Sequence, residues 1–367
     1  MIRIDVVIGT RPEAIKMAPV ILELRGRSAF SVRVVATGQH TDMLSQALSY
    51  FGLFADVNLG IMKNRQSLDY ITSSVLEGVG GSFDADRPAA ALVHGDTTTT
   101  FAASLAAFYR DIPVGHVEAG LRSFDMRRPF PEEMNRVMTD RIASYLFAPT
   151  EGARRNLLRD GLDAKKILVT GNTVVDALRI AAGINASPLE PRLLSLTDGA
   201  PFILLTAHRR ESWGEPMRRI CAALLEILAA RKEMRALVPM HKNPVVRDVM
   251  TASLGANSRI ILCDPLDYPD FVWAMNNCSL ILSDSGGVQE EASSLRKPVL
   301  ILRDVTERPE AVEAGSCILV GTDKDKITSE ADTLLSDASA RERLLARCAG
   351  NPFGDGFASR RIADALS

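Results

Sequence analysis

Short apolar runs of five or six residues alternate along the whole chain with longer amphipathic segments, and few folds accommodate that rhythm. The first half holds IDVVIG (4–9), VRVVAT (32–37), AALVHG (90–95), IPVGHV (112–117), YLFAPT (145–150) and KILVTG (166–171). The second half holds FILLTA (202–207), ALVPMH (236–241), RIILCD (259–264), LILSD (280–284), PVLIL (298–302) and CILVG (317–321). Each is rich in β-formers and bounded by Gly, Pro, Asp or Thr, as fully buried strands are. Segments such as PEAIKMAPVILELRGR and EPMRRICAALLEILAARK lie between them and read as helices. Strand–helix alternation on this scale gives right-handed βαβ units and parallel sheets.

At 367 residues the chain exceeds what one core usually fills, so two domains are expected. The segment GINASPLEPRLLSLTDGAP has no clean period and places the boundary within 173–200. Six candidate strands precede it and six follow, which predicts two doubly wound domains of similar size. A net charge of −2 without basic runs argues against a nucleic-acid partner. No apolar stretch is long enough to span a membrane, and MIRIDVVIGT reads as a first strand rather than an export signal. Cys221, Cys263, Cys278, Cys317 and Cys348 form no CxxC pair and read as reduced thiols of a cytoplasmic protein.

The five histidines, His40, His94, His116, His208 and His241, all fall at or near the ends of apolar runs. In open α/β sheets ligands bind beyond the carboxyl ends of the strands, so this sorting points to a polar cleft. Asp96, Glu118 and Asp284 follow the same rule, and RRPFPEEMNR adds Glu132 and Glu133 at a proline-set helix start. Glu133 is expected only to complement the helix dipole. Thr97 to Thr100 fit a helix start, and the run reads equally as a hydroxyl-lined wall or as tight packing. No short metal-ligand spacing joins the histidines, so no metal is expected, and neither a P-loop nor GxGxxG occurs.

SDSGGVQEEAS (283–293) fits a loop feeding a helix N-terminus, where the amides of Ser285, Gly286 and Gly287 would face an anion. A helix end supplies only about half a positive charge, so a diphosphate needs cations as well. Arg11, Arg209 and Arg308 sit near strand-end loops and suit that role. Glu291, more than a turn into the helix, would meet a ribose, as acids do in dinucleotide sites, while Glu290 would face solvent. The ligand so described is a nucleotide.

Together the segments GTRPEAIKMAPV, TGQH, KNRQSL, HGDTTTT, GHVEAGLRS, RPFPEEMNR, VTGNTVVDAL, TAHRRES, PLDYPDFVWAM, SDSGGVQEEA, TERPEAVEAG and NPFGDGFASRRI resemble the non-hydrolysing UDP-N-acetylglucosamine 2-epimerases, in order and over nearly the whole chain. The resemblance implies a GT-B-like fold of two Rossmann-like domains, 1–172 with the C-terminal helix 353–367, and 173–352. It implies reversible conversion of UDP-GlcNAc to UDP-ManNAc by elimination of UDP and its re-addition to 2-acetamidoglucal, without a cofactor. Asp96, Glu118, Glu132 and His208 match the family's catalytic positions. Arg11, Lys16, Phe271, Ser285, Gly286, Gly287, Glu291 and Arg308 match nucleotide-contacting ones, although Phe271 reads equally as a core aromatic. Bacterial members bind a second UDP-GlcNAc as activator, and Gln39, Arg65, Gln66, Arg209 and His241 match that site, with Glu132 shared. Many regulated members have Gln or Glu where this chain has Asp42. A homodimer is the family's habit. A hydrolysing epimerase, an epimerase for a modified UDP-GlcNAc, a UDP-sugar glycosyltransferase and a nucleotide-sugar sensor are the alternatives.

Overall fold

The apolar runs fold as strands of two parallel sheets. The computed structural model describes residues 1–367 apart from 39–40, 64–65, 185–186, 197, 307–308, 316 and 347–350, and apart from the side chains of 41, 42, 184, 210 and 309. The chain divides into two compact units, Met1–Arg179 with Phe353–Ser367, and Ile180–Pro352.

In the first unit β1 (Ile2–Ile8), β2 (Phe30–Ala36), β3 (Val57–Asn58), β4 (Ala90–His94), β5 (Val114–Val117), β6 (Tyr145–Ala148) and β7 (Ile167–Val169) lie in the order β3-β2-β1-β4-β5-β6-β7. In the second, β8 (Phe202–Thr206), β9 (Arg235–Pro239), β10 (Ile260–Cys263), β11 (Leu280–Ser283), β12 (Val299–Ile301) and β13 (Cys317–Leu319) lie in the order β10-β9-β8-β11-β12-β13. All six strands expected in each half are present. The first sheet gains β3, a two-residue edge strand too short to show any alternation in sequence.

Helices cover both faces, which is why the strands read as nearly unbroken apolar runs. In the second unit Ile203 and Leu205 of β8 pack with Leu280 and Leu282 of β11 against Met217, Ile220, Leu224 and Ile227 of the helix Glu215–Ala230. In the first, the alanines 102, 103, 106 and 107 of helix Thr98–Phe108 share a core with Val75, Val79 and Phe83 of helix Leu68–Ala85. Burying each large aliphatic side chain contributes roughly 1.5–3 kcal/mol. The one acid inside an early strand, Asp5, is fully buried and meets Arg33, its register partner on β2, with Nε 3.1 Å from both carboxylate oxygens.

The last residues complete the first unit. The Asn172 amide donates to the Phe353 carbonyl at 2.7 Å. Asp176 accepts the amides of Ala358 and Ser359 at 3.2 and 2.9 Å, fixing the start of helix Ala358–Ala365. That helix lies on helix Arg11–Arg25, where Arg27 Nη1 reaches Asp364 at 2.7 Å.

Each sheet reverses its strand order once, between β1 and β4 and between β8 and β11. Ligands of doubly wound sheets bind beyond the strand ends at this point. At the first reversal the chain leaves β1 through Gly9. A Cβ there would overlap Thr99 Oγ1 and lie 2.8 Å from Thr37 Oγ1 and 3.0 Å from Thr99 Cβ. Gly9→Ala is therefore expected to destabilise the fold by about 1–3 kcal/mol, read as a lower urea midpoint. An unchanged midpoint would mean that the two threonines yield without cost.

Candidate active site

At the β1/β4 reversal a buried carboxylate joins the two loops. Glu13 Oε2 accepts the Gly9 amide at 2.9 Å and the Thr10 amide at 2.6 Å. Its Oε1 accepts the hydroxyls of Thr97 at 2.7 Å and Thr100 at 3.0 Å. Thr97 also caps helix Thr98–Phe108, and the Thr100 hydroxyl shares its one proton between Glu13 and the His94 carbonyl, the latter at 2.6 Å. With Thr99 packed on Gly9, the threonine run serves packing and stapling. The T-R-P-E pattern that opens helix Arg11–Arg25, from its N-cap Thr10 to Glu13, carries the capping-box spacing and could have revealed Glu13.

The staple sets the start of helix Arg11–Arg25, which carries Arg11 and Lys16, and the turn that carries Asp96. Arg11 is half-buried at the helix start. Asp96 is one-third exposed, with its carboxylate 3.0 Å from Arg136 Nη2 and its carbonyl 2.9 Å from Asn135 Nδ2. Glu118 follows β5 with φ of 71°, a backbone conformation costly outside glycine and concentrated at functional sites. Its Oε2 pairs with Lys16 Nζ, accepts from Asn172 Nδ2 at 3.0 Å and lies 3.5 Å from His94 Nε2. His94 is 4% exposed, and its Nε2 makes no hydrogen bond among the described residues.

Two expectations for this unit change. His116 is not a cleft residue: it is fully buried, with Nδ1 2.6 Å from Asp140 and Nε2 2.7 Å from the Gly95 carbonyl, so it braces the turn before Asp96. Asp140 in turn meets Arg122 Nη2 at 2.7 Å. Glu133 does more than complement a dipole. It is 1% exposed, accepts the amides of Ser123 and Phe124 at 3.0 Å each, and lies 3.3 Å from Arg136 Nε. Its neighbour Glu132 is half-buried at the start of helix Glu132–Ile142.

The second unit repeats the staple with Asp284. This fully buried acid follows β11 and accepts the amides of His208 and Arg209, each at 2.9 Å, and the Ser212 hydroxyl at 3.0 Å. His208 Nδ1 lies 3.4 Å from Asp284 Oδ1, and its ring stacks on His241 with centroids 5.8 Å apart. Burial pushes the His208 pKa down. Asp284 opposes the shift, while Arg209 and His241 add to it. Arg209 Nε is buried without a hydrogen-bond partner among the described residues.

Helix Gly286–Ser294 starts beside this staple, with Ser285 as N-cap and no side-chain cap. The Ser285 amide donates to Ser283 Oγ at 3.0 Å, so the anion-facing donors reduce to those of Gly286, Gly287 and the next residue. A Cβ on Gly287 would meet open space. Glu291 is 7% exposed, and Glu290 is 1% exposed, not solvent-facing as its pattern suggested, because both faces of this short helix are covered. Phe271 is half-buried on helix Tyr268–Asn277.

Of the residues matched to a second site, Arg209 and His241 gather around His208, and Gln66 lies just before helix Leu68–Ala85 in the first unit. Gln39, Arg65 and Arg308, the side chain of Asp42, and His40 and Cys348 lie outside the described residues. Among the described residues no His, Cys, Asp and Glu group could hold a metal, and no helix is long and apolar enough to cross a membrane.

Comparison with known proteins gives this arrangement a lineage. The family model described as UDP-N-acetylglucosamine 2-epimerase matches residues 22–367. A UDP-N-acetylglucosamine 2-epimerase of Yersinia pestis is 49% identical, over 98% of this chain and 97% of its own length. The crystal structure of a putative UDP-N-acetylglucosamine 2-epimerase from Listeria monocytogenes superposes with a TM-score of 0.92 at 45% identity, covering 100% of this chain and 95% of that one. That of UDP-GlcNAc 2-epimerase from Neisseria meningitidis, bound to UDP-GlcNAc, superposes with a TM-score of 0.91 at 44% identity, covering 100% and 99%.

The His208 environment is testable by titrating the imidazole with NMR. The ring should protonate below the ordinary 6.5 and be neutral at pH 7. The unfolded chain takes up that proton near 6.5, so His208 leaves stability unchanged above this value and lowers it as pH falls below. Asp284→Asn removes the charge that favours the imidazolium and should move the midpoint lower still. A native midpoint at or above 6.5 would contradict burial as the ruling cause.

Proposed function

Because the chain belongs to the UDP-N-acetylglucosamine 2-epimerase family, we propose that it interconverts UDP-GlcNAc and UDP-ManNAc without net hydrolysis. The observation that carries the reading is the content of the two strand-order reversals. Near one, Asp96 meets Arg136 and Glu118 meets Lys16; at the other, Asp284 holds the His208 and Arg209 amides beside the open helix start at Gly286–Gly287. The first set is carboxylate chemistry for a sugar, and the second is an anion site for a diphosphate.

Carbon 2 of the sugar is a poor acid, since no carbonyl adjoins it. Elimination avoids the carbanion. A carboxylate of the Asp96, Glu118 and Glu132 set takes the carbon-2 proton, and the C–H electrons become the C1=C2 bond. The C1–O electrons leave with UDP, giving 2-acetamidoglucal. The reverse addition delivers a proton to the opposite face. Charge builds on the departing β-phosphate, where amides at a helix start and a guanidinium stabilise it most. The unsatisfied Arg209 Nε supports an oxygen ligand there. His208, neutral at pH 7, contributes a directed N–H rather than a positive charge. Glu291 would accept from the ribose hydroxyls, with Phe271 beside the uracil, and Arg11, Lys16 and Arg308 as further cations. His241 against His208 supports the activator contact in this unit. The reading includes a cytoplasmic homodimer.

Incubation with UDP-GlcNAc in deuterated water, followed by NMR, tests the reaction. UDP-ManNAc should form with deuterium at carbon 2 and little free UDP. Accumulating ManNAc would instead mean hydrolysis, and no exchange without an acceptor would mean a transferase or a sensor. Asp96→Asn and Glu118→Gln should each slow carbon-2 exchange by about 100-fold or more while keeping UDP affinity. If both variants exchange at the parent rate, the acids are misassigned.

A further inference from the structure

Asn172 lies between two parts of the first unit that the reaction scheme leaves unconnected. It is 3% exposed and precedes helix Thr173–Ile184. Its Oδ1 accepts the Val174 amide at 3.0 Å, an N-cap contact. That bond orients the amide group, so Nδ2 points away and donates to Glu118 Oε2 at 3.0 Å. Its backbone amide donates to the Phe353 carbonyl at 2.7 Å. At Gly171 and Gly354 the two backbones touch: a Cβ on Gly354 would lie 3.0 Å from the Gly171 Cα.

We propose that Asn172 is a positioning residue for Glu118, tying its carboxylate to the returning C-terminal segment. The inference rests on the reading of Glu118 as a proton-transfer group. Among the described residues three groups converge on Glu118 Oε2, and they differ in kind. Lys16 is a long flexible cation, His94 lacks hydrogen-bond geometry, and Asn172 has a short side chain locked at its other end. Of these three, Asn172 gives the carboxylate a fixed direction. Glu118 needs that direction because its backbone sits at a φ of 71°, where local preference does not hold it. The C-terminal segment holds Asn172 from behind, so the register of Phe353 sets where the carboxylate stands.

The two jobs of Asn172 separate by substitution. Asn172→Asp keeps an N-capping oxygen, replaces the donor to Glu118 with an acceptor and sets like charges together. Asn172→Ser also caps but is too short to reach Glu118. Both variants should fold and bind UDP as the parent does, while kcat for conversion of UDP-GlcNAc falls about 10- to 100-fold with KM little changed. A capping role alone predicts parent-like kcat in both. If the serine variant folds and keeps kcat within about threefold of the parent, the inference is overturned. Glu118→Gln, measured alongside, separates the two ways of failing. If it loses carbon-2 exchange while the Asn172 variants keep it, only the positioning role falls; if it keeps exchange, the reading of Glu118 falls as well.

Discussion

A buried carboxylate sits at the one place in each sheet where the strand order reverses. There two loops diverge from neighbouring parallel strands, and nothing in the strand ladder holds their first residues together. Glu13 closes that gap in the first unit by accepting from Gly9, Thr10, Thr97 and Thr100. Asp284 closes it in the second by accepting from His208, Arg209 and Ser212. A buried acid is costly without partners, and each staple supplies three or four. Polar loops therefore leave an apolar sheet in one conformation, and the candidate site residues inherit it. Removing either acid would strand several buried donors at once.

The strands were legible because both faces of each sheet are covered, so burial writes itself as a run of Val, Ile and Leu rather than as alternation. The same feature hid β3, whose two residues form no run. Which polar residues face a ligand was much less legible. His116 and His94 share the strand-end position, yet His116 is enclosed by Asp140 and the Gly95 carbonyl. Glu290 and Glu133 look like surface acids of a helix's first turns, yet packing covers both. Sequence distance to a strand end locates a loop, whereas exposure depends on what packs over it from elsewhere in the chain. Asn172 shows the limit: its partners lie 54 positions before it and 181 after it, and no local pattern announces them.

Asp96 and Glu118 each meet a cation, Asp96 through Arg136 and Glu118 through Lys16, and the two arrangements differ. Arg136 is braced by Glu133, which also holds the amides of Ser123 and Phe124, so Asp96 belongs to a rigid lattice. Lys16 approaches on a flexible stem from a helix beginning at a strand end. In the proposed reaction a diphosphate would compete for that ammonium, and the carboxylate it leaves becomes a stronger base.

The chain's final helix belongs to the unit that begins at its first residue. On the ribosome, helix Arg11–Arg25 emerges early and waits for its partner Ala358–Ala365 while the whole of Ile180–Pro352 is made. The roughly 330 residues between the two helices take roughly 20 to 70 seconds to synthesise. Throughout that time the face that helix Ala358–Ala365 covers on the nascent first unit stays open, and loss of that helix would leave the face uncovered.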